Sequence, residues 1–210
     1  MLYNPDMDFK KTVKEGYNAI ADRYFAKRTL DSEDVRLLDD FIERLPANAK
    51  ILDAGCGAGI PISQRLSEHF QVTGVDFSET QIELAKKNVP NANFLCEDMT
   101  KLDYPENTFD GITSYYAIIH IPREEHESLL ANFHRILKSG GITLVCLGAE
   151  NLIGDIDANY LGTRMYWSHY DTETYLKMLK DCGFSIIWSK RVEDESCEGA
   201  GHLFVSMQKA

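Results

Sequence analysis

From residue 49 onward, apolar residues come in short runs, and between the runs they recur at helical spacing. "AKILDAG" (49–55), "QVTGVDF" (71–77) and "ANFLCEDM" (92–99) read as short buried strands. The segments between them, "PISQRLSEHF" (61–70) and "SETQIELAKKNV" (78–89), read as helices. Pro61 sits in the first turn of one, and Ser78 and Gln81 have capping-box spacing at the start of the other. "FDGITSYYAIIHI" (109–121) contains a fourth strand. "REEHESLLANFHRILKSGG" (123–141) predicts a helix ended by its glycines, and "GITLVCLG" (141–148) a fifth strand. "DTETYLKMLKDCGF" (171–184) is a further capped helix, and "FSIIWSKRVE" (184–193) and "GHLFVSMQK" (201–209) are two closing strands.

Residues 8–45 predict helices, because Leu38, Phe41, Ile42 and Leu45 fall on one face and Ser32 is placed as an N-cap. Strands alternating with helices imply an α/β fold with a mostly parallel sheet covered on both faces. The two closing strands have no helix between them, so they are expected to pair antiparallel. Residues 149–170, "AENLIGDIDANYLGTRMYWSHY", interrupt the alternation and predict an irregular aromatic flap over the carboxyl edge of the sheet. The expected organisation is a helical cap over 1–48 and a main domain over 49–210.

Charge narrows the partners. The net charge is −11, and no Lys/Arg run breaks the acidic balance, which argues against a nucleic-acid partner. The five cysteines show no zinc spacing and are expected to be free thiols of a reducing compartment, with no metal site. The N-terminus lacks the apolar core of a signal peptide, and no apolar run approaches the roughly 20 residues of a membrane helix. These features predict a soluble cytoplasmic protein, a monomer or homodimer with a small-molecule partner.

The candidate chemistry centres on "ILDAGCGAG" (51–59), where Gly55, Gly57 and Gly59 alternate at a strand-to-helix turn. Glycines there let a ligand touch the backbone, and the helix terminus that follows offers free N–H groups. A dinucleotide loop needs its third glycine at position 60, which is Ile60, and this counts against NAD or FAD. Asp53 stands ahead of the glycines, where its carboxylate can orient the loop or reach a cationic group.

Asp53-x-Gly55-x-Gly57-x-Gly59 resembles motif I of the class I S-adenosylmethionine-dependent methyltransferases, and the similarity runs over about residues 49–148. The chain is most similar to the small-molecule members of the type 11 kind. The resemblance implies a Rossmann-like three-layer sandwich: a seven-stranded, mostly parallel sheet with an antiparallel closing strand. It implies S-adenosylmethionine as cofactor and S-adenosylhomocysteine as product. Asp76 would take the ribose hydroxyls, with Phe77 beside it. Asp98, or its neighbour Glu97, would take the adenine amine, and Met99 would pack on the adenine. Tyr17 and Tyr24, seven apart on one helical face, would close over the cofactor with help from Arg28, or would form a core stripe with Ile20.

The acceptor is expected beyond the fourth strand. Tyr115 is assigned to the cofactor, and Tyr116 and His120 to catalysis, with His120 as a general base or as a structural ring bonded to a backbone carbonyl. Tyr166, Trp167 and His169, with Tyr170 beside them, are expected to line the acceptor pocket. His202 is read as structural. "SYYA" (114–117) stands where amino-group methyltransferases of DNA bases and of protein glutamine carry Asn/Asp-Pro-Pro-Tyr, which together with the acidic balance points to a small acceptor. Two other readings stay open: a binding module that keeps the cofactor loop without turnover, and a nicotinamide oxidoreductase.

Overall fold

Ile51 and Leu52 are adjacent and fully buried, yet they pack into different clusters, one on each face of a central sheet. Side chains alternate along a strand, so a strand covered on both faces needs apolar residues at every position. The computed structural model describes residues 8–25, 30–193 and 201–210. Arg28 and Cys197 lie outside them. Cys56, Cys96 and Cys182 are free thiols.

The strands are β1 (Lys50–Ala54), β2 (Gln71–Asp76), β3 (Asn93–Cys96), β4 (Phe109–Ser114), β5 (Leu137–Gly148), β6 (Leu152–Tyr160), β7 (Thr163–His169), β8 (Phe184–Glu193) and β9 (Gly201–Lys209). The helices are α1 (Phe9–Phe25), α2 (Glu33–Arg36), α3 (Leu38–Glu43), α4 (Ile62–Ser67), α5 (Glu79–Asn88), α6 (His126–Ile136) and α7 (Thr172–Asp181). Seven strands form one sheet in the order β3-β2-β1-β4-β5-β9-β8. The first five run parallel, and β9 runs antiparallel to both β5 and β8. One face carries α6 and α7, through Leu130, Phe133, Tyr175 and Leu179. The other carries α2, α3 and α4, through Val35, Phe41, Ile62 and Leu66, with α5 packed beside them through Ile82 and Ala85. This is the three-layer sandwich expected, with its antiparallel strand.

Four details differ from the sequence reading. Residues 149–170 are not irregular: β6 and β7 form an antiparallel hairpin that turns at Leu161 and Gly162, both with positive φ. Its buried side, Met165 and Tyr166, packs against Phe9, Val13 and Ile20 of α1. The helix expected to run to the glycines at 140–141 ends at Ile136 instead. Leu137 is fully buried opposite Phe109, so β5 begins there, and Gly140 falls in an irregular stretch of the strand. Among the described residues of 1–48, α2 and α3 belong to the sheet layer, and α1 alone borders the cleft described below. Ser32 has an extended backbone ahead of α2, but its side chain makes no capping bond.

His126 pins the α6 face. Its Nε2 donates to the Ile121 carbonyl at 2.9 Å, which leaves Nδ1 to accept from the Tyr175 hydroxyl at 2.8 Å. Burial lowers its pKa to about 4, so the ring is neutral at physiological pH. Tyr175→Phe leaves Nδ1 buried without a donor, a loss of about 1–3 kcal/mol. Thermal unfolding is expected to show a midpoint about 2–4 °C lower for each kcal/mol lost.

Candidate cofactor cleft

β2 and β3 lie to one side of β1, and β4 and β5 to the other, so the strand order reverses at the β1/β4 boundary. Open α/β sheets bind ligands outside the carboxyl ends of their strands at such a point. A cleft of about 630 Å³ opens there. Its floor is the turn after β1. Gly55 has φ +78°, and a Cβ on it would lie 2.2 Å from the Ala117 Cβ, so only glycine lets the turn pass under residues 117–120. Gly57 donates its N–H to Asp76 Oδ2 at 3.0 Å, and Ser78 donates to Asp76 Oδ1 at 2.9 Å. Gly59 faces away from the cleft, toward Val89, Phe94 and Ala85. It serves the packing of α5 and β3, a role the alternating pattern could not separate from ligand contact.

The three strand-end carboxylates have different surroundings. Asp53 is 1% exposed and takes hydrogen bonds from Ser63 Oγ and Thr113 Oγ1. Burial pushes its carboxyl up to about 6 against those two donors, and Asp76 adds to the rise. Burial pushes Asp76 up to about 6 as well, against the N–H groups of Ser78 and Gly57. Burial also raises Asp98, but the donors of Thr100 and the nearby Lys10 outweigh it, so its net shift is downward. Asp76, Asp98, Phe77, Met99 and Glu97 line the cleft. Asp53 and Gly55 line an adjoining recess with Tyr24, Tyr115 and Tyr116.

α1 forms the opposite wall. Tyr17 and Tyr24 meet edge to face at 5.2 Å. The Tyr17 hydroxyl lies 2.8 Å from His120 Nε2, and His120 Nδ1 lies 2.8 Å from the Tyr166 carbonyl. A carbonyl only accepts, so Nδ1 carries the proton and Nε2 accepts from Tyr17. Burial lowers the His120 pKa to about 4 and raises that of Tyr17. His120 therefore borders the cleft as a neutral acceptor already engaged by Tyr17. Tyr116 adopts φ +52°, an uncommon conformation for a tyrosine, and meets His202 edge to face at 4.8 Å.

The aromatic residues of the hairpin lie apart from the cleft lining. Tyr166 is 1% exposed and stacks on Phe9 at 4.1 Å. Trp167 packs on Tyr160 and reaches the His120 ring at 5.4 Å. His169 bonds the Glu150 carbonyl through Nδ1, and Tyr170 holds the Arg123 guanidinium over its ring. The cleft instead adds residues that the sequence did not single out for it: Lys10 and Val13 of α1, and Gln81 of α5. Lys10 precedes Tyr17 by the same seven-residue step that separates Tyr17 from Tyr24, a signal that was available. Among the described residues, no cluster of His, Cys, Asp and Glu is placed to hold a metal ion. No described helix is long and apolar enough to cross a membrane.

A mostly parallel sheet with acidic residues along its carboxyl edge at the switch point is that of a ligand-binding α/β protein. The comparisons narrow this. A family model described as a methyltransferase domain matches residues 51–141. Phosphoethanolamine N-methyltransferase 3 of Arabidopsis thaliana is 30% identical over 83% of this chain and 37% of its own length. This chain thus spans little more than a third of that relative. A TehB-like S-adenosylmethionine-dependent methyltransferase of Corynebacterium glutamicum superimposes with TM-score 0.67 at 25% identity, covering 94% of this chain and 98% of that one. The 1,6-didemethyltoxoflavin-N1-methyltransferase of Burkholderia thailandensis, solved with 1,6-didemethyltoxoflavin and S-adenosylhomocysteine bound, superimposes with TM-score 0.74 at 20% identity, covering 100% and 92%. The chain belongs to the class I S-adenosylmethionine-dependent methyltransferases.

The residues fit that family's cofactor. Asp76 and Asp98 present acceptors to a diol and an exocyclic amine, the recess by Asp53 suits an amino-acid tail, and the buried Gln81 amide faces the cleft without a partner. Hydroxyl donors favour the ionised form of Asp76, so affinity should be full above about pH 6 and weaken as the carboxyl protonates below it. Calorimetry with S-adenosylhomocysteine is expected to show affinity falling by up to about tenfold per pH unit below that value, with proton release on binding near pH 6. Asp76→Asn should weaken binding at neutral pH by about ten- to a hundredfold and flatten the profile.

Proposed function

We propose that this chain transfers the methyl group of S-adenosylmethionine to a small-molecule acceptor. The observation that carries this reading is the row of carboxylates at the ends of the first three strands, with Asp76 and Asp98 lining the cleft beneath α1 and Asp53 buried behind the recess that adjoins it. Asp76 takes the ribose hydroxyls, Asp98 the adenine amine, and Met99 packs on the base. Asp53, held by Ser63 and Thr113, fixes the loop and supplies negative potential for the amino-acid end. Among the described residues of 1–48, α1 forms the cap.

The cofactor supplies an already activated methyl group, so the chain's task is to align the acceptor and handle its proton. Tyr17 and His120 are placed for the second part. The acceptor's N–H or O–H bond breaks as its proton passes to the Tyr17 oxygen and the Tyr17 proton passes in the same step to His120 Nε2, so Tyr17 stays neutral and the acceptor keeps the electron pair that takes the methyl group. His120 then holds both its protons while Nδ1 stays anchored to the Tyr166 carbonyl. In this reading the proton passes through Tyr17 rather than directly to His120, because Tyr17 occupies the free nitrogen of the ring. The hairpin closes this region mainly by burying Tyr166 and offering its carbonyl. The acidic surface and the phosphoethanolamine methyltransferase relatives support a small acceptor.

Titration with S-adenosylmethionine, S-adenosylhomocysteine and NADH should show micromolar binding of the first two and none of NADH. Tight NADH binding would return the oxidoreductase reading. A radiolabelled methyl assay over a panel of amines, phosphoethanolamine and phenols should then find a turned-over acceptor. Tight cofactor binding with no methylation across the panel would instead favour a regulatory module. With the acceptor found, Tyr17→Phe should lower kcat by about a hundredfold, at the low end of acid–base contributions, with less effect on cofactor affinity.

A further inference from the structure

Gln81 lines the cleft, and the protein makes no use of its polar atoms. Its side chain is 2% exposed, and neither Nε2 nor Oε1 has a hydrogen-bond partner among the described residues. Native proteins leave few buried amides in that state. The cap of α5 shows how it arises. In a capping box the Gln81 amide would reach back to the Ser78 backbone N–H. Ser78 Oγ does accept from the Gln81 backbone N–H at 3.2 Å, which is half of the box. The other half is lost, because the Ser78 N–H already donates to Asp76 Oδ1. The carboxylate has displaced the amide from its local partner.

The displaced amide stays beside Gly57: a Cβ there would lie 3.8 Å from Gln81 Oε1. Gly57 in turn is bonded through its N–H to Asp76. Carboxylate and amide therefore flank one glycine on the same wall. An ionised carboxylate only accepts, whereas an amide both donates and accepts. A vicinal diol, whose hydroxyls each donate and accept, matches that pair. The adenine end lies apart from them, by Asp98 and Met99.

We propose that Gln81 is a second ribose contact, its Nε2 donating to a hydroxyl oxygen whose own proton is given to Asp76. The inference rests on the cofactor reading above and names a residue of that site which the glycine motif does not mark.

The test is Gln81→Met, which keeps the length and removes both polar atoms. Two readouts should move in opposite directions. Without ligand, removing the unsatisfied amide should raise the unfolding midpoint by about 2–4 °C. Calorimetry should show S-adenosylhomocysteine binding weakened by about fivefold, the scale of one neutral hydrogen bond. Against the 2′-deoxy or the 3′-deoxy analogue, the ratio between mutant and wild type should fall to about one. A lower midpoint without ligand, unchanged affinity, or an equal penalty for both deoxy analogues would overturn the assignment to ribose. Absence of S-adenosylhomocysteine binding to the wild-type protein would overturn the cofactor reading itself and this inference with it. Binding by wild type with no effect of the mutation would remove only Gln81.

Discussion

The cleft depends on one half-buried carboxylate held by two backbone N–H groups. Asp76 joins the turn after β1, through Gly57, to the turn before α5, through Ser78. Those turns leave neighbouring parallel strands, and the ladder between them ends where the Gly55 and Cys56 N–H groups donate to the Val75 carbonyl. Beyond that point the carboxylate ties Gly57 to Ser78, and the glycine requirement follows from it. Gly55 must pass beneath Ala117 for Gly57 to come within reach of Asp76, and only a residue without a side chain can make that passage. The same oxygen that accepts from Ser78 blocks the second half of the α5 cap and turns the Gln81 amide into the cleft. A local electrostatic tie thus sets the loop and exposes the binding groups.

Holding this arrangement without ligand is unfavourable. Asp53 and Asp76 carry carboxyls raised to about 6, and His120 carries an imidazole lowered to about 4. Raised acids contribute stability at low pH that is lost as pH rises through about 6, because their folded form holds the proton more tightly. Lowered histidines, His120 and His126, act in the opposite sense: their contribution is present above about 6.5 and is lost as pH falls toward 4. The two trends offset each other across the same window. The site can therefore store groups poised for ligands without making overall stability steeply dependent on pH. Its stored unfavourable energy is released when a diol, an amine or an acceptor supplies the missing partners.

Much of the frame was legible because it rests on periodicity. Continuous apolar runs implied the doubly covered strands, and the lack of a helical sequence pattern between 193 and 201 implied the antiparallel pair. The strand-end acids could be placed because each follows such a run. What escaped legibility depends on tertiary contacts. Gly59 looks like its two neighbours in sequence, yet it packs under Val89 and Phe94. The end of α6 is set by Leu137 finding Phe109, a contact between residues far apart in the chain. Gln81 has a recognised cap signature, and only the competing bond from Asp76 removes it from that role. Aromatic content alone also misplaced Tyr166, since a buried ring and a pocket ring have the same composition.

The hairpin shows how such a segment can matter without presenting its side chains to the cleft. Tyr166 stacks on Phe9 and fills the seam between α1 and β7. Its backbone carbonyl then fixes the protonated nitrogen of His120. That leaves the other nitrogen as an acceptor for Tyr17, and Tyr17 is carried by the same helix that Tyr166 packs against. Helix, hairpin and histidine therefore form one mechanical loop: moving α1 away from β7 removes the Tyr17 donor, and moving β7 alone removes the tautomer. The Tyr17–His120 pair exists only when α1 and the hairpin are both in place beside the cleft. Its geometry is thereby tied to the packing of the two elements, with a backbone carbonyl, which no side-chain motif records, as the connecting atom.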